Sequence, residues 1–299
     1  MPCPVTTRLP GAVRLDPLRV VAGSVALLLF GMATAGCVSA LKEPRPIPEI
    51  AGGAPPSADG GAPTDFGALV AQANSLFAER APDAAGVEKV RLAAQTWLRA
   101  AAAPGAGVES LVAAARAEVW LTDHETDPRR REAAALAAVE AAQWCGRTAP
   151  ADPACDYWLG AALGVQARER PATGLSALPQ IEAAFRRARD ARPELDEAGP
   201  DRALALLYLR APGWPTGPGD PDLGLKHARQ AVALRPDYPP NLLALGEGLV
   251  KTGDGAGGRD AFRRALTLAR DRAAAGDRDA PEWAEEARRS LAGVESAGP

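Results

Sequence analysis

The feature that most limits how this chain can fold is a recurrence of small and large apolar residues at helical spacing. Three segments share one register: Phe185, Ala188 and Pro193; Ala228, Ala231 and Pro236; Phe262, Ala265 and Arg270. The last two sets lie 34 residues apart. Each is preceded by a segment with a small residue followed three places later by a large one: Gly160 with Leu163, Ala205 with Tyr208, Gly246 with Leu249. A small residue lets two helices approach closely, and the large one fills the next groove. Apolar spacing is helical elsewhere too, as in Phe66, Leu69, Val70, Ala73 and Phe77, and no segment shows a convincing period of two. Asp127-Pro128, Asp152-Pro153 and Asp220-Pro221 each set a capping carboxylate before a proline suited to the first helical position.

A spacing of 34 residues is the tetratricopeptide period. The predicted fold is therefore all-α, a tetratricopeptide-like helical-hairpin solenoid of about eleven helices between residues 65 and 296. Each hairpin has an apolar face that only its neighbour can cover. Two stretches rich in Pro and Gly, Arg170–Gly174 and Ala211–Asp220, read as insertions between paired helices. Before residue 150 the repeat signal fades to plain amphipathic helices, so residues 64–152 form an N-terminal helical part and 153–299 the repeat part.

The start of the chain bears on location. Arg8, Arg14 and Arg19 precede an apolar run from Val20 to Met32, which ends in Thr34-Ala35-Gly36-Cys37. A basic lead, a short apolar core and a small-residue exit mark residues 1–36 as a secretory signal, too short to span a bilayer. Ala35-Gly36-Cys37 resembles a bacterial lipobox, although Thr34 stands where that pattern prefers Leu. The resemblance implies a diacylglyceryl anchor on Cys37 and an envelope location with the folded part in the periplasm. Residues 37–63 then read as a tether: Pro44, Pro46, Pro48, Pro55, Pro56 and Pro63 oppose helix and sheet alike. At roughly 3 Å per residue such a segment reaches several nanometres.

Cys145 and Cys155 flank a Pro-containing loop. In an oxidising compartment they are best read as a disulfide, contributing about 2–3 kcal/mol in the chain-entropy model; two buried thiols are the main alternative. No histidine lies near enough to suggest a metal. A net charge of −3 gives no reason to expect a nucleic-acid partner. No nucleophile elbow or phosphate loop is present, and neither enzyme chemistry nor a cofactor is expected. His124 reads as a solvated helix end, and Asp254–Gly258 as a turn between paired helices.

Aligning the first helices on their small residues makes Tyr157, Arg202 and Leu243 equivalent. Ala161, Leu206 and Glu247 fall one turn on, then Val165, Arg210 and Lys251 another turn on. In tetratricopeptide arrays these positions line the concave face, where Arg202, Arg210 and Lys251 together would attract a carboxylate or an acidic peptide; the plainer reading is ordinary solvated charge. Trp214, set among Pro212, Gly213 and Pro215, is a rim contact for a ligand or a plug over its hairpin.

Over about residues 155–270 the chain resembles the tetratricopeptide-like T-component lipoproteins associated with TRAP transporters. The resemblance rests on Gly199-Pro200-Asp201-Arg202, Ala211-Pro212, Gly219-Asp220, Ala231-Val232, Pro236-Asp237 and Asn241. It implies a periplasmic helical solenoid that captures a solute or a partner protein. The sequence thus points to a lipid-anchored envelope protein that binds a partner protein or a small organic anion. A structural scaffold of an envelope assembly is the alternative, and the oligomeric state is left open.

Overall fold

In the computed structural model, which describes residues 41–52, 66–103 and 105–296, the regular elements are all α-helices. A four-residue helix α1 (Ile47–Ile50) is followed by α2 (Phe66–Ala78), α3 (Ala84–Ala101), α4 (Glu109–His124), α5 (Pro128–Thr148) and α6 (Pro153–Glu169). The series continues with α7 (Pro171–Ala191), α8 (Leu195–Arg210), α9 (Pro221–Leu234), α10 (Pro239–Lys251), α11 (Gly255–Ala274) and α12 (Ala280–Ser296). The signal segment, Cys37 and residues 53–63 of the expected tether lie outside the described residues. Among the described residues, no helix is long and apolar enough to cross a membrane.

The helices pair as α2/α3, α4/α5, α6/α7, α8/α9 and α10/α11, and α12 covers the last pair. Contacts also run from α4 to α6, α6 to α8, α8 to α10 and α10 to α12, so the first helices form one continuous inner layer. Asp127, Asp152 and Asp220 cap α5, α6 and α9, each accepting a backbone N–H ahead of a proline at the helix start.

The small-against-large pattern is what brings the helices together. A Cβ on Gly160 would stand 2.6 Å from the Phe185 ring, and one on Gly246 2.4 Å from the Phe262 ring. Both rings are buried, so the two hairpins share one packing solution. Cys145 at the end of α5 and Cys155 at the start of α6 form a disulfide, with Cα atoms 5.3 Å apart. The hairpin series therefore runs without a break across residues 152–153.

Three local features differ from the sequence reading. Arg170–Gly174 is not a loop: Pro171 opens α7, which runs for 21 residues. A proline at the first helical position loses no needed N–H and brings a helical φ, so it starts a helix as readily as it ends one. Residues 41–52 are not free. Arg45 donates two hydrogen bonds to the buried Glu140 carboxylate, at 2.9 and 2.7 Å. Trp144 Nε1 donates to the Arg45 carbonyl, Gln143 to the Lys42 carbonyl, and Glu43 pairs with Arg147. Ile47 and Ile50 pack on the N-terminal core.

The third feature is a left-handed turn inside α8. Asp196, Glu197 and Ala198 have φ of 49°, 57° and 63°. Each non-glycine residue in that region costs about 1–2 kcal/mol, and such strain collects where surrounding contacts dictate the backbone.

Candidate functional site

The inner layer forms two separate hollows. The larger in lining is a cavity of about 560 Å³, walled by residues from α2, α4, α6, α8, α10 and α12. Aromatic residues make up only 5% of the chain, yet three of its six tryptophans and two of its three tyrosines line this one space. They are Trp120, Trp158, Trp283, Tyr157 and Tyr238, joined by Phe77.

The α8 turn supplies one wall. The Tyr157 hydroxyl donates to Asp196 at 2.6 Å, and Arg202 donates to the same carboxylate at 2.9 Å. Arg202 also donates to Asn241 Oδ1 at 3.0 Å and to the Glu197 carbonyl, while Asn241 donates to that carbonyl in return. The strained residues thus hold acceptors where Arg202 and Asn241 need them. Burial raises the Tyr157 pKa, as does Asp196, while Arg202 works against both. The Arg202 guanidinium lies 5.1 Å from the Tyr238 ring centre, and burial pushes that phenol up to about 12.

The opposite wall joins the two ends of the solenoid. Arg80, just past α2, donates to both oxygens of Asp279, just before α12, at 2.8 and 2.7 Å. His124 at the end of α4 stacks on Trp120 at 3.6 Å, and its Nε2 is 2.8 Å from Glu282. Burial disfavours the charged imidazole, but the Glu282 contact and the Trp120 carbonyl outweigh it, so the pKa lies above the ordinary value.

Every carboxylate of this cavity has a cationic partner. Asp196 pairs with Arg202, Glu197 with Arg235, Asp277 with Arg272, Asp279 with Arg80, Glu282 with His124 and Asp123 with Arg168. Arg116 on α4 is different. Its guanidinium sits 4.5 Å from the Phe77 ring centre, and it has no hydrogen-bond acceptor or ion-pair partner among the described residues. Desolvation by the surrounding protein lowers its pKa and the nearby Arg80 adds to the effect, against the opposing pull of Asp196, Asp279 and Tyr238.

The second hollow, about 640 Å³, lies at the other end of the inner layer between α8, α10, α11 and α12. Arg210, Leu243, Glu247 and Lys251 line it. Glu247 accepts from Arg210 at 3.0 and 2.7 Å and lies 3.4 Å from Lys251. Burial raises its carboxyl pKa, but Arg210 and Lys251 together more than compensate, leaving it below the ordinary value.

The residues aligned from sequence are therefore divided. Tyr157 and Arg202 share the aromatic cavity; Arg210, Leu243, Glu247 and Lys251 share the other hollow. Arg202, Arg210 and Lys251 do not converge on one volume, and each already has protein acceptors. Residues 202 and 210 stand about 12 Å apart along their helix at 1.5 Å per residue, enough for the twist of the array to turn them toward different spaces. Trp214 neither plugs its hairpin nor lines either hollow; it is 91% exposed at a loop tip. Sequence reasoning missed Arg80, Arg116, Trp120, Trp158, Tyr238 and Trp283. The available signal was the clustering of scarce aromatics, most plainly Tyr157-Trp158 and Trp120 four residues before His124.

Among the described residues, no cluster of three or more His, Cys, Asp or Glu side chains could hold a metal ion. No family model matches the chain, and no curated protein is significantly similar to it. Among solved structures, it is similar to TTC0263, a thermophilic TPR protein of Thermus thermophilus. The two share 19% identity at a TM-score of 0.53, over 74% of this chain and 98% of that one. At that identity the likeness speaks for the fold alone, and the fold is a tetratricopeptide-like array of helical hairpins.

Proposed function

We propose that this chain is an envelope lipoprotein whose inner cavity captures a small organic ligand. The observation that carries this reading is the concentration of scarce aromatics around one concave space, bridged by ion pairs between the two ends of the array. Small-molecule sites are concave spaces of roughly 300–1,000 Å³; this hollow falls in that size range and sets aromatic side chains among ion-paired ones. The signal-like residues 1–36 and the lipobox-like Ala35-Gly36-Cys37 support an anchor at Cys37. The disulfide between Cys145 and Cys155 suits an oxidising compartment. With the lipid on Cys37, only Val38, Ser39 and Ala40 separate it from the docked segment beginning at Leu41. That span is at most about 14 Å at 3.3–3.6 Å per residue, so the body stands close to the membrane. The likeness to T-component lipoproteins of TRAP transporters gives such a cavity a role in solute uptake, and Arg202 of the motif lines it.

A second reading, a scaffold that binds protein, is favoured by one observation: the apolar face of Trp214 is open to solvent. A small-molecule screen by thermal shift separates the two. Hits should lose their effect in Ala161→Phe, which fills the cavity, and keep it in Trp214→Ala. Hits indifferent to Ala161→Phe in a variant that melts normally would contradict the cavity reading.

A further inference from the structure

We infer that the cavity is selective for a small organic monoanion with a flat apolar body, such as an aromatic carboxylate, and that Arg116 is its anchor. This rests on the reading of the cavity as a ligand site and specifies what it takes. The six carboxylates around the space are already hydrogen-bonded or paired to Arg or His, so a cationic ligand would have to displace an existing partner. Arg116 alone among the cavity's charged groups has no oppositely charged partner among the described residues. Its side chain remains open to solvent although it lies inside the walls.

Arginine presents a planar fork of donors that matches a carboxylate's two oxygens. The Phe77 ring, 4.5 Å from the guanidinium carbon, supports the fork from the side. The Arg80 guanidinium, over the same ring at 4.9 Å, is held away from the ligand role by Asp279. Asp196 and Asp279, which bear on the Arg116 charge, are held by Arg202 and Arg80, so the one cation left without an ion pair matches one anionic head. Trp120 and Trp158, both partly buried, offer the apolar surface that a flat body requires.

The test uses the full chain and three probes of one shape: phenylacetate, phenylacetamide and phenethylamine. Binding is read by calorimetry and by tryptophan emission. A charge-assisted bidentate contact discriminates by about ten- to a hundred-fold, so phenylacetate should bind at least ten-fold more tightly than either analogue. Arg116→Gln should erase that preference, Arg116→Lys should keep part of it, and Arg210→Gln in the other hollow should leave it unchanged. If phenethylamine or phenylacetamide binds as well as phenylacetate, or if Arg116→Gln keeps the preference, the assignment is overturned. Absence of phenylacetate binding overturns it as well. The cavity reading is judged separately, by whether screening hits are lost in Ala161→Phe.

Discussion

Glu118 on α4 is a buried carboxyl with no ion pair among the described residues. The cation that acts on it, Arg91, is committed to Glu88 and Glu125. Burial pushes the Glu118 pKa up to about 8; Arg91 opposes the shift and Glu125 adds to it. The folded chain therefore keeps this proton over a range where the unfolded chain has lost it. Stability contributed by the neutral form is complete below the unfolded pKa of about 4.3 and falls as pH rises toward 8. Glu118→Gln removes the titration. By chemical denaturation the variant should match the parent near pH 4 and exceed it by about 1–3 kcal/mol near pH 8, since one pKa unit is worth about 1.4 kcal/mol. Equal stability at both pH values, or a loss near pH 8, would show that the carboxyl ionises in place.

At the scale of elements, the hairpin is set by one contact made twice, Phe185 on Gly160 and Phe262 on Gly246. Because a Cβ at either glycine would fall within 2.6 Å of a buried ring, Gly160→Ala and Gly246→Ala should each cost about 1–3 kcal/mol through overpacking. Gly164 lies in α6 with nothing near its missing Cβ. Gly164→Ala should instead stabilise by about 0.5–1 kcal/mol through helix propensity, and a loss there would mean the helix register is wrong. This contact was legible in the sequence because helical period and residue size are local patterns. The start of α7 was not, since Pro171 and Gly174 carry the same composition in a loop as in a first helical turn. Nor was the docking of residues 41–52. Pro48 sits in the first turn of α1, where a proline is tolerated, and the extended residues before it still offer the Lys42 and Arg45 carbonyls to Gln143 and Trp144.

For the whole molecule, the array bends until its ends meet. Arg80 and Asp279 are 199 residues apart in sequence, and His124 and Glu282 are 158 apart. Aligning repeats correctly identified the inner helices, yet it could not show that α2 and α12 complete a wall together. That depends on the rotation accumulated over every hairpin between them. The same rotation divides Arg202 from Arg210 and makes two hollows from one aligned face. The anchoring residue of the proposed site, Arg116, comes from the N-terminal helices, where the repeat signal fades and no alignment reached. The end-to-end ion pairs set α2 and α12 around one hollow that three tryptophans share.

The central claim, that ligand enters this cavity, is tested most directly by the indole N–H signals of the six tryptophans. In a ¹H–¹⁵N spectrum titrated with phenylacetate, the signals of Trp120, Trp158 and Trp283, which line the cavity, should move together along one saturating curve. Those of Trp97, buried in the N-terminal core, of Trp144 under the docked arm, and of the exposed Trp214 should stay in place. Movement of Trp214 or Trp144 with the cavity trio unmoved would contradict the account.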